Sequence, residues 1–322
     1  MEKTAENFDL VISAYISNCT ANEIVPSTVA YYKRILLDFN KSMTNSGIAP
    51  IWPTVEAVSK WKQDLCDRKL KITTIDIYMR VLRNFMEWAV DMGMMESSCC
   101  IPAIMPNPKI VNKATRKPYS DLLDGSSVMR IFNHETPKNV SERIWRRNRA
   151  ILVLFLSTGI RNSELRGLNL SDLDFDGGKI LVRNGKGSKT RYVSFPTIAK
   201  IAIKDYLNSG YRPCSVSDDE PLFGITDNRY EAGWHGMKRT ALSQLVERNL
   251  RLVLGKEGIR SHALRHSYAS VMWDSGAELS DISSILGHSS VTTTERYAER
   301  LRPSAPIDRA NSVFDNLVSM GS

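Results

Sequence analysis

The chain has no long apolar run. Its best uninterrupted stretch, Ala150 to Leu156, falls far short of the ~18–20 residues that a membrane helix needs. The opening MEKTAENFDL carries acids where a secretory signal would carry bases and an apolar core, so a cytoplasmic protein without a membrane partner is expected. Cysteine is scarce. Cys19, Cys66, Cys99, Cys100 and Cys214 form no C-x-x-C pair, which argues against a zinc site and against a disulfide framework. No G-x-x-x-x-G-K-[ST] occurs: Gly185-Lys186 is followed by glycine. H-E-x-x-H, an EF-hand loop and a G-x-G-x-x-G opening a helix are missing as well. Nucleotide-hydrolysing and zinc-hydrolase chemistry therefore lose most of their weight. There are no internal repeats or low-complexity tracts.

What is present is an ordinary globular composition over 322 residues, 42% hydrophobic and 24% charged, long enough for two domains. The net charge is +8 and is unevenly placed. Residues 1–110 hold 12 basic and 12 acidic side chains, so the excess lies in residues 111–322. A basic domain suggests a polyanionic partner, nucleic acid before a membrane surface, although charge for solubility alone explains +8 equally well.

The first hundred residues carry helical periodicity. Phe8, Val11, Ile12, Tyr15, Ile16 and Cys19 fall at three-four spacing. Ser27 is placed to cap a second helix with the face Val29, Tyr32, Ile35, Leu36, Phe39 and Met43, stopped by Gly47. Thr54 opens a third with Val55, Val58, Trp61 and Leu65. A fourth starts near Thr73 or Thr74, carries Ile75, Tyr78, Leu82, Phe85 and Ala89, and stops at Gly93. Four amphipathic helices with short joints predict a small bundle over residues 1–100. Lys60, Lys62, Arg68, Lys69, Lys71, Arg80 and Arg83 outnumber Asp64, Asp67 and Asp76 in one stretch of it, either a phosphate-facing patch or a solvated face. Residues 101–120 contain Pro102, Pro106, Pro108 and Pro118 and read as an extended linker. Lys109, Lys113, Arg116 and Lys117 make that linker basic, suited to lie along a phosphate backbone or simply to stay solvated.

The second part reads as mixed. A helix near 126–134 precedes a strongly apolar one through Ala150. Gly177-Gly178 then turns a strand whose Ile180 and Val182 alternate, and a glycine-rich tip at 185–187 leads to Tyr192, Val193 and Phe195. From Thr197 the pattern is helical, with breaks near 213–221 and 255–258. Three polar segments stand at bends. TGIRNSELRGLNLSDLDF places Arg161 after the helix stop Gly159, with Ser163 ready to cap the next helix. SHALRHSYAS places His262 and Arg265 three apart, on one helical face. LGHSSVTTTERYAE holds His288 after Gly287 and Tyr297 nine residues later. Taken singly, each of these residues is more often a packing or surface residue.

Together they resemble the tyrosine recombinases, the integrase-like and Xer-like DNA recombinases. The matching residues are Arg161 in TGIRNSEL, Lys186 in NGKGSK, His262 and Arg265 in HALRH, His288 in LGH and Tyr297 in TTTERYA, in the family order. The resemblance implies a mainly α fold with a small β-sheet in the C-terminal domain. An N-terminal four-helix core-binding (SAM-like) domain, residues 1–100, and linker 101–120 would precede a mixed α/β catalytic domain, 121–302. Residues 303–322 would be a tail helix. Its apolar face of Ile307, Ala310, Val313, Phe314, Leu317 and Val318 would dock in a neighbouring protomer, or else pack on its own domain. The bundle begins with the first residues, so no separate arm-site module is expected in front of it.

The implied chemistry suits these side chains. Tyr297 would attack the scissile phosphate of double-stranded DNA to give a 3′-phosphotyrosyl link and a 5′-hydroxyl. Arg161 and Arg265 would bind the non-bridging oxygens and favour a tyrosinate whose free pKa is about 10. Lys186 would protonate the leaving oxygen, with Lys189, on the same tip, the alternative. His262 and His288 would donate hydrogen bonds or assist proton transfer, and Glu164 would support the site. No cofactor or metal is implied, and the working unit would be a homotetramer on two DNA sites. A type IB topoisomerase shares this chemistry, but the HALRH and LGH forms and the four-helix front favour recombination. A non-catalytic helix-turn-helix reading of LSDISSILGHSSVTTTERY leaves Arg161, the lysine hairpin and Tyr297 without purpose. The charge excess and basic linker predict salt-sensitive DNA binding, with each neutralised phosphate adding about −0.9 to the slope of log K against log salt. A titration giving a slope of about −2 or shallower would mean that the basic residues mostly face solvent.

Overall fold

The computed structural model describes residues 5–45, 53–95, 105–115, 122–183, 190–226 and 233–287. Gly47, Arg116, Lys117, the tip 185–187 with Lys186, Lys189, His288, Tyr297 and the tail 303–322 lie outside the described residues. The chain divides into two compact units, 1–117 and 118–322. Mainly helical structure with small antiparallel sheets fills the described residues.

The first unit holds α1 (Ala5–Ala21), α2 (Pro26–Asn45), α3 (Val55–Asp67), α4 (Ile72–Asp91) and α5 (Pro108–Thr115). The three-four spacing built its core: Phe8, Ile12, Phe39, Trp61, Leu65, Leu82 and Phe85 are all buried. Phe85 meets Phe8 and Tyr15 edge-on, with centroids 5.6 and 5.4 Å apart, and Phe39 meets Trp61 at 5.0 Å. Thr54 caps α3 as expected, its Oγ1 accepting from Ala57 N at 3.2 Å. Two other helix starts differ from expectation. Thr28 N and Val29 N donate to Val25 O, so α2 begins at Pro26 and Ser27 lies inside it. Proline suits that first position because its missing N–H has no partner there. Thr74 N and Ile75 N donate to Lys71 O, which starts α4 ahead of Thr73. Val55, expected on the apolar face, is exposed.

Residues 108–115 are helical, not extended. Pro108 occupies the first turn, where proline is tolerated, and Asn107 Oδ1 accepts from Lys109 N at 2.9 Å. Val111 is buried, and α5 packs against α4.

The second unit begins with α6 (Gly125–Phe132), capped by Asp124, and α7 (Glu142–Thr158), capped by Ser141. The apolar run of α7 becomes the centre of this unit: every residue from Ala150 to Leu156 is buried, with α6, α9 (Thr197–Asn208), α10 (Arg239–Leu254) and α11 (Ser261–Asp274) around the helix. After α8 (Asn162–Arg166), β1 (Leu173–Asp174), β2 (Lys179–Val182) and β3 (Arg191–Ser194) form an antiparallel sheet in chain order. Ile180 pairs with Val193 and Val182 with Arg191, so β2 and β3 are the two arms of the expected hairpin. A second hairpin, β4 (Gly224–Thr226) with β5 (Trp234–Gly236), was not expected. Its three-residue strands show no inside-outside alternation, so they carry no sequence signature. The last described helix is α12 (Leu279–Leu286). Among the described residues, no helix is long and apolar enough to cross a membrane.

Gly159 is where these helices converge. It ends α7 at φ +63°, and a Cβ there would lie 2.5 Å from Tyr268 Cδ1 and 2.9 Å from Leu286 Cδ2. Only a residue without a side chain lets α11 and α12 close on the end of α7.

Candidate active site

Arg161 follows Gly159 in extended conformation and precedes α8. Ser163 does not cap this helix. Glu164 reaches back instead, its Oε2 accepting from Arg161 N at 2.8 Å and its Oε1 from Arg161 Nη1 at 2.7 Å. An acid in the first turn is also favoured by the helix dipole. The carboxylate, 2% exposed, takes two further bonds from Arg191 on β3: Nη1 to Oε1 at 2.8 Å and Nη2 to Oε2 at 2.9 Å. Burial works to raise the Glu164 pKa, but the bonds from Arg191 and Arg161 outweigh it and hold the pKa down at about 2.

Arg265 is 2% exposed and lies inside the domain. Its Nη1 donates to Gly159 O at 2.7 Å and its Nη2 to Leu286 O. Arg161 Nη2 donates to Gly287 O at 2.8 Å, and Arg191 Nε to Ile285 O at 3.0 Å. Three arginines from three separate elements thus take three consecutive carbonyls at the end of α12. Those carbonyls have no partner within the helix and form the negative end of its dipole. Gly287 terminates the helix at φ +62°, as its position in the sequence suggested.

His262 stands exposed in the first turn of α11, its ring 4.4 Å from that of the buried His266, edge to face. A cleft of about 700 Å³ opens beside it. Arg161, Arg239, Arg260, His262 and Arg265 line it with Asn162 and Ser261, and Glu247 is the one acid among the described lining residues. Asn162 Nδ2 donates to Ser261 Oγ at 3.1 Å, which ties α8 to the start of α11 at the cleft's edge. Such a cleft suits an anion that accepts several hydrogen bonds.

Four of the expected site residues, Arg161, Glu164, His262 and Arg265, therefore come together. Lys186, Lys189, His288 and Tyr297 are outside the described residues. Two of the described neighbours of those segments are anchored: Arg183 pairs with the buried Asp172 at 2.7 Å, and Gly287 receives Arg161. Sequence reasoning missed Arg191, Arg239 and Arg260. Nothing in their local pattern separates them from surface arginines: Arg191 finds its partners, Glu164 and Ile285, far along the chain, and Arg239 and Arg260 are singled out only by lining the cleft.

In the first unit, Lys60, Lys69, Lys71 and Lys109 are exposed and Lys62 is half-buried. Arg80 pairs with Asp76 at 2.8 Å and Arg83 with Glu87 at 3.5 Å, one helical turn away in each case. Arg68 is held by Asp38 and Asp64. The surplus charge of this stretch is thus partly neutralised within its own helices.

Residues 123–302 match the model of the phage integrase family. The chain is 31% identical to the tyrosine recombinase XerC of Oceanobacillus iheyensis over 283 residues, 84% of this chain and 85% of that protein. XerC of Lactobacillus delbrueckii is 28% identical over 84% of this chain and 88% of its own. Among solved structures, the fold is similar to XerH site-specific recombinase bound to a palindromic difH substrate, with a TM-score of 0.67, 20% identity and coverage of 89% and 80%. It is also similar to the Tn1549 transposon integrase in complex with circular intermediate DNA, with a TM-score of 0.64, 18% identity and coverage of 89% and 94%.

The depressed Glu164 pKa has a thermodynamic consequence. A carboxyl bound more tightly as the anion when folded stabilises the fold fully above its ordinary value of 4.5, and that contribution fades as pH falls towards about 2. The contribution is on the order of 3 kcal/mol. Glu164→Gln should lower the melting temperature at neutral pH and flatten the loss of stability on acidification from pH 4.5 to 2. An unchanged acid-unfolding slope would show that Glu164 is not held as an anion.

Proposed function

This chain belongs to the phage integrase family and is a site-specific tyrosine recombinase, and we propose that it cleaves and rejoins duplex DNA through a 3′-phosphotyrosyl intermediate on Tyr297. The observation that carries the assignment of roles is the convergence of Arg161, Arg265 and His262 on one cleft. Both guanidiniums donate to carbonyls at the end of α12.

In this reading the Tyr297 oxygen attacks the scissile phosphorus in line, and the bond from phosphorus to the 5′-bridging oxygen breaks. Lys186 gives that oxygen its proton, with Lys189 three residues along as the competing donor. The products are a 3′-phosphotyrosyl enzyme and a 5′-hydroxyl. Attack by the 5′-hydroxyl of another strand reverses the step and releases the tyrosine, so no external energy source is consumed.

Arg161 and Arg265 neutralise the charge that builds on the non-bridging oxygens. Guanidiniums stay protonated at any working pH and present paired donors in the geometry of a phosphate. Arg161 uses its two terminal nitrogens on Glu164 and Gly287, each through one hydrogen, and retains further N–H donors for a phosphate. Because the donors are already positioned, little reorganisation is needed at the moment of reaction. His262 and His288 assist as hydrogen-bond donors. Glu164 supports Arg161.

Double-stranded DNA is the proposed partner. The arginine-lined cleft, the basic second domain and the DNA complexes of the similar XerH and Tn1549 proteins support it. The first unit, with Lys60, Lys62, Lys69, Lys71, Arg80 and Arg83, and the segment with Lys109, Lys113, Arg116 and Lys117 are proposed to contact phosphates. We further propose four protomers on two DNA sites in the cytoplasm, with residues 303–322 docking between neighbours.

The test is a suicide duplex carrying a candidate crossover site. The parent protein should accumulate a covalent adduct that maps to Tyr297, and Tyr297→Phe should bind the same duplex without forming it. An adduct trapped on a different tyrosine would overturn the assignment.

A further inference from the structure

We propose that Arg191 is a positioning residue for the phosphate clamp, acting through Glu164 to offset that carboxylate's charge beside Arg161 and to keep Arg161 aimed into the cleft. The proposal rests on the recombinase reading above and extends it to a residue that does not touch substrate. Arg191 is mostly buried, and its Nε, Nη1 and Nη2 donate to Ile285 O and to both oxygens of Glu164. A side chain so engaged acts through its neighbours.

The reason Arg161 needs it is charge. Glu164 lies 2.7 Å from Arg161 Nη1, close enough to cancel most of the positive potential that Arg161 would offer a phosphate. With Arg191 on the other side of the same carboxylate, the group of two guanidiniums and one carboxylate keeps one net positive charge. Glu164 then accepts four N–H bonds, two on each oxygen, which matches the capacity of a carboxylate. Its position is fixed from two sides, and Arg161 is fixed with it.

A second feature keeps Arg191 in place. A Cβ on Gly287 would lie 3.2 Å from Arg191 Cδ and Nε, so the absent side chain lets Arg191 lie flat across the end of α12. Lysine would not substitute for it. One ammonium on a flexible stem does not reproduce a planar fork that spans two carboxylate oxygens and also reaches Ile285 O.

The experiment compares the parent with Arg191→Ala and Arg191→Lys in single-turnover cleavage on two suicide duplexes. One carries the ordinary scissile phosphate and the other a 5′-bridging sulfur, whose departure needs no proton. DNA affinity and thermal melting are read alongside. For Arg191→Ala we expect a cleavage rate about 100-fold lower at saturating DNA, with affinity changed by less than about threefold. The sulfur substrate should not restore it, because the lost function is charge on the non-bridging oxygens.

Glu164, released from Arg191 while still buried, should also bind a proton at higher pH, and because its neutralisation returns the net positive charge, the variant's rate should recover on acidification where the parent's is flat. Arg191→Lys should retain the fold and show the same recovery on acidification after a smaller loss. Recovery on the sulfur substrate would place Arg191 with the leaving-group acid instead. Unchanged cleavage, or a loss without recovery on acidification in a protein that melts normally, would also overturn the proposal. If the parent itself forms no adduct on either duplex, the recombinase reading fails, and Arg191 is not the cause.

Discussion

The end of α12 is held by three arginines, and the candidate active site is organised around that contact. A helix leaves its last carbonyls without partners, and at most helix ends water or a following turn satisfies them. Here Ile285, Leu286 and Gly287 present theirs to Arg191, Arg265 and Arg161, which come from β3, α11 and the start of α8. One short helix thereby fixes three cationic groups, and they in turn fix the point from which the chain continues towards His288. The two arginines proposed to bind phosphate are oriented by hydrogen bonds to backbone carbonyls of the domain.

Such a concentration of charge is stable only with compensation. Burying a guanidinium away from water is costly unless its donors find acceptors. Glu164 supplies the carboxylate between Arg161 and Arg191, and backbone carbonyls serve Arg265. The rigid element beneath all of this is α7. Its buried run from Ala150 to Leu156 anchors the unit, and Gly159 at its end admits Tyr268 and Leu286 at a distance that no side chain would allow. Packing brings α11 and α12 to one place, and the polar contacts then set their register.

Much of the fold was legible from periodicity. The faces built on Phe8, Phe39, Trp61 and Phe85 form the first core as expected, and Gly177-Gly178 turns β1 into β2. The misreadings are local. Ser27, Thr73 or Thr74, and Ser163 were expected to start helices that in fact follow Val25, Lys71 and Arg161, because backbone partners and a returning Glu164 decided those starts rather than the nearest hydroxyl. The prolines of 101–120 suggested extended chain, yet Pro108 opens α5. In the site, Arg161, Glu164, His262 and Arg265 were found through the resemblance of their motifs to a known family. Arg191, Arg239 and Arg260 were not: the contacts of Arg191 cross 27 and 94 residues of chain, and only the folded cleft brings Arg239 and Arg260 beside the motif residues. The roles of Lys186, His288 and Tyr297 rest on that same resemblance.

The central claim is that Arg161 and Arg265 serve as fixed positive charge for the non-bridging phosphate oxygens. Its most direct test replaces one of those oxygens at the scissile position by a methyl group, which removes the phosphate's negative charge. On the ordinary phosphate, Arg161→Ala and Arg265→Ala should each slow cleavage by about 100-fold or more. On the neutral methylphosphonate, the same variants should lie within about tenfold of the parent, because there is no anionic charge left to offset. An equal penalty on both substrates would contradict the account and make the arginines props of the fold alone.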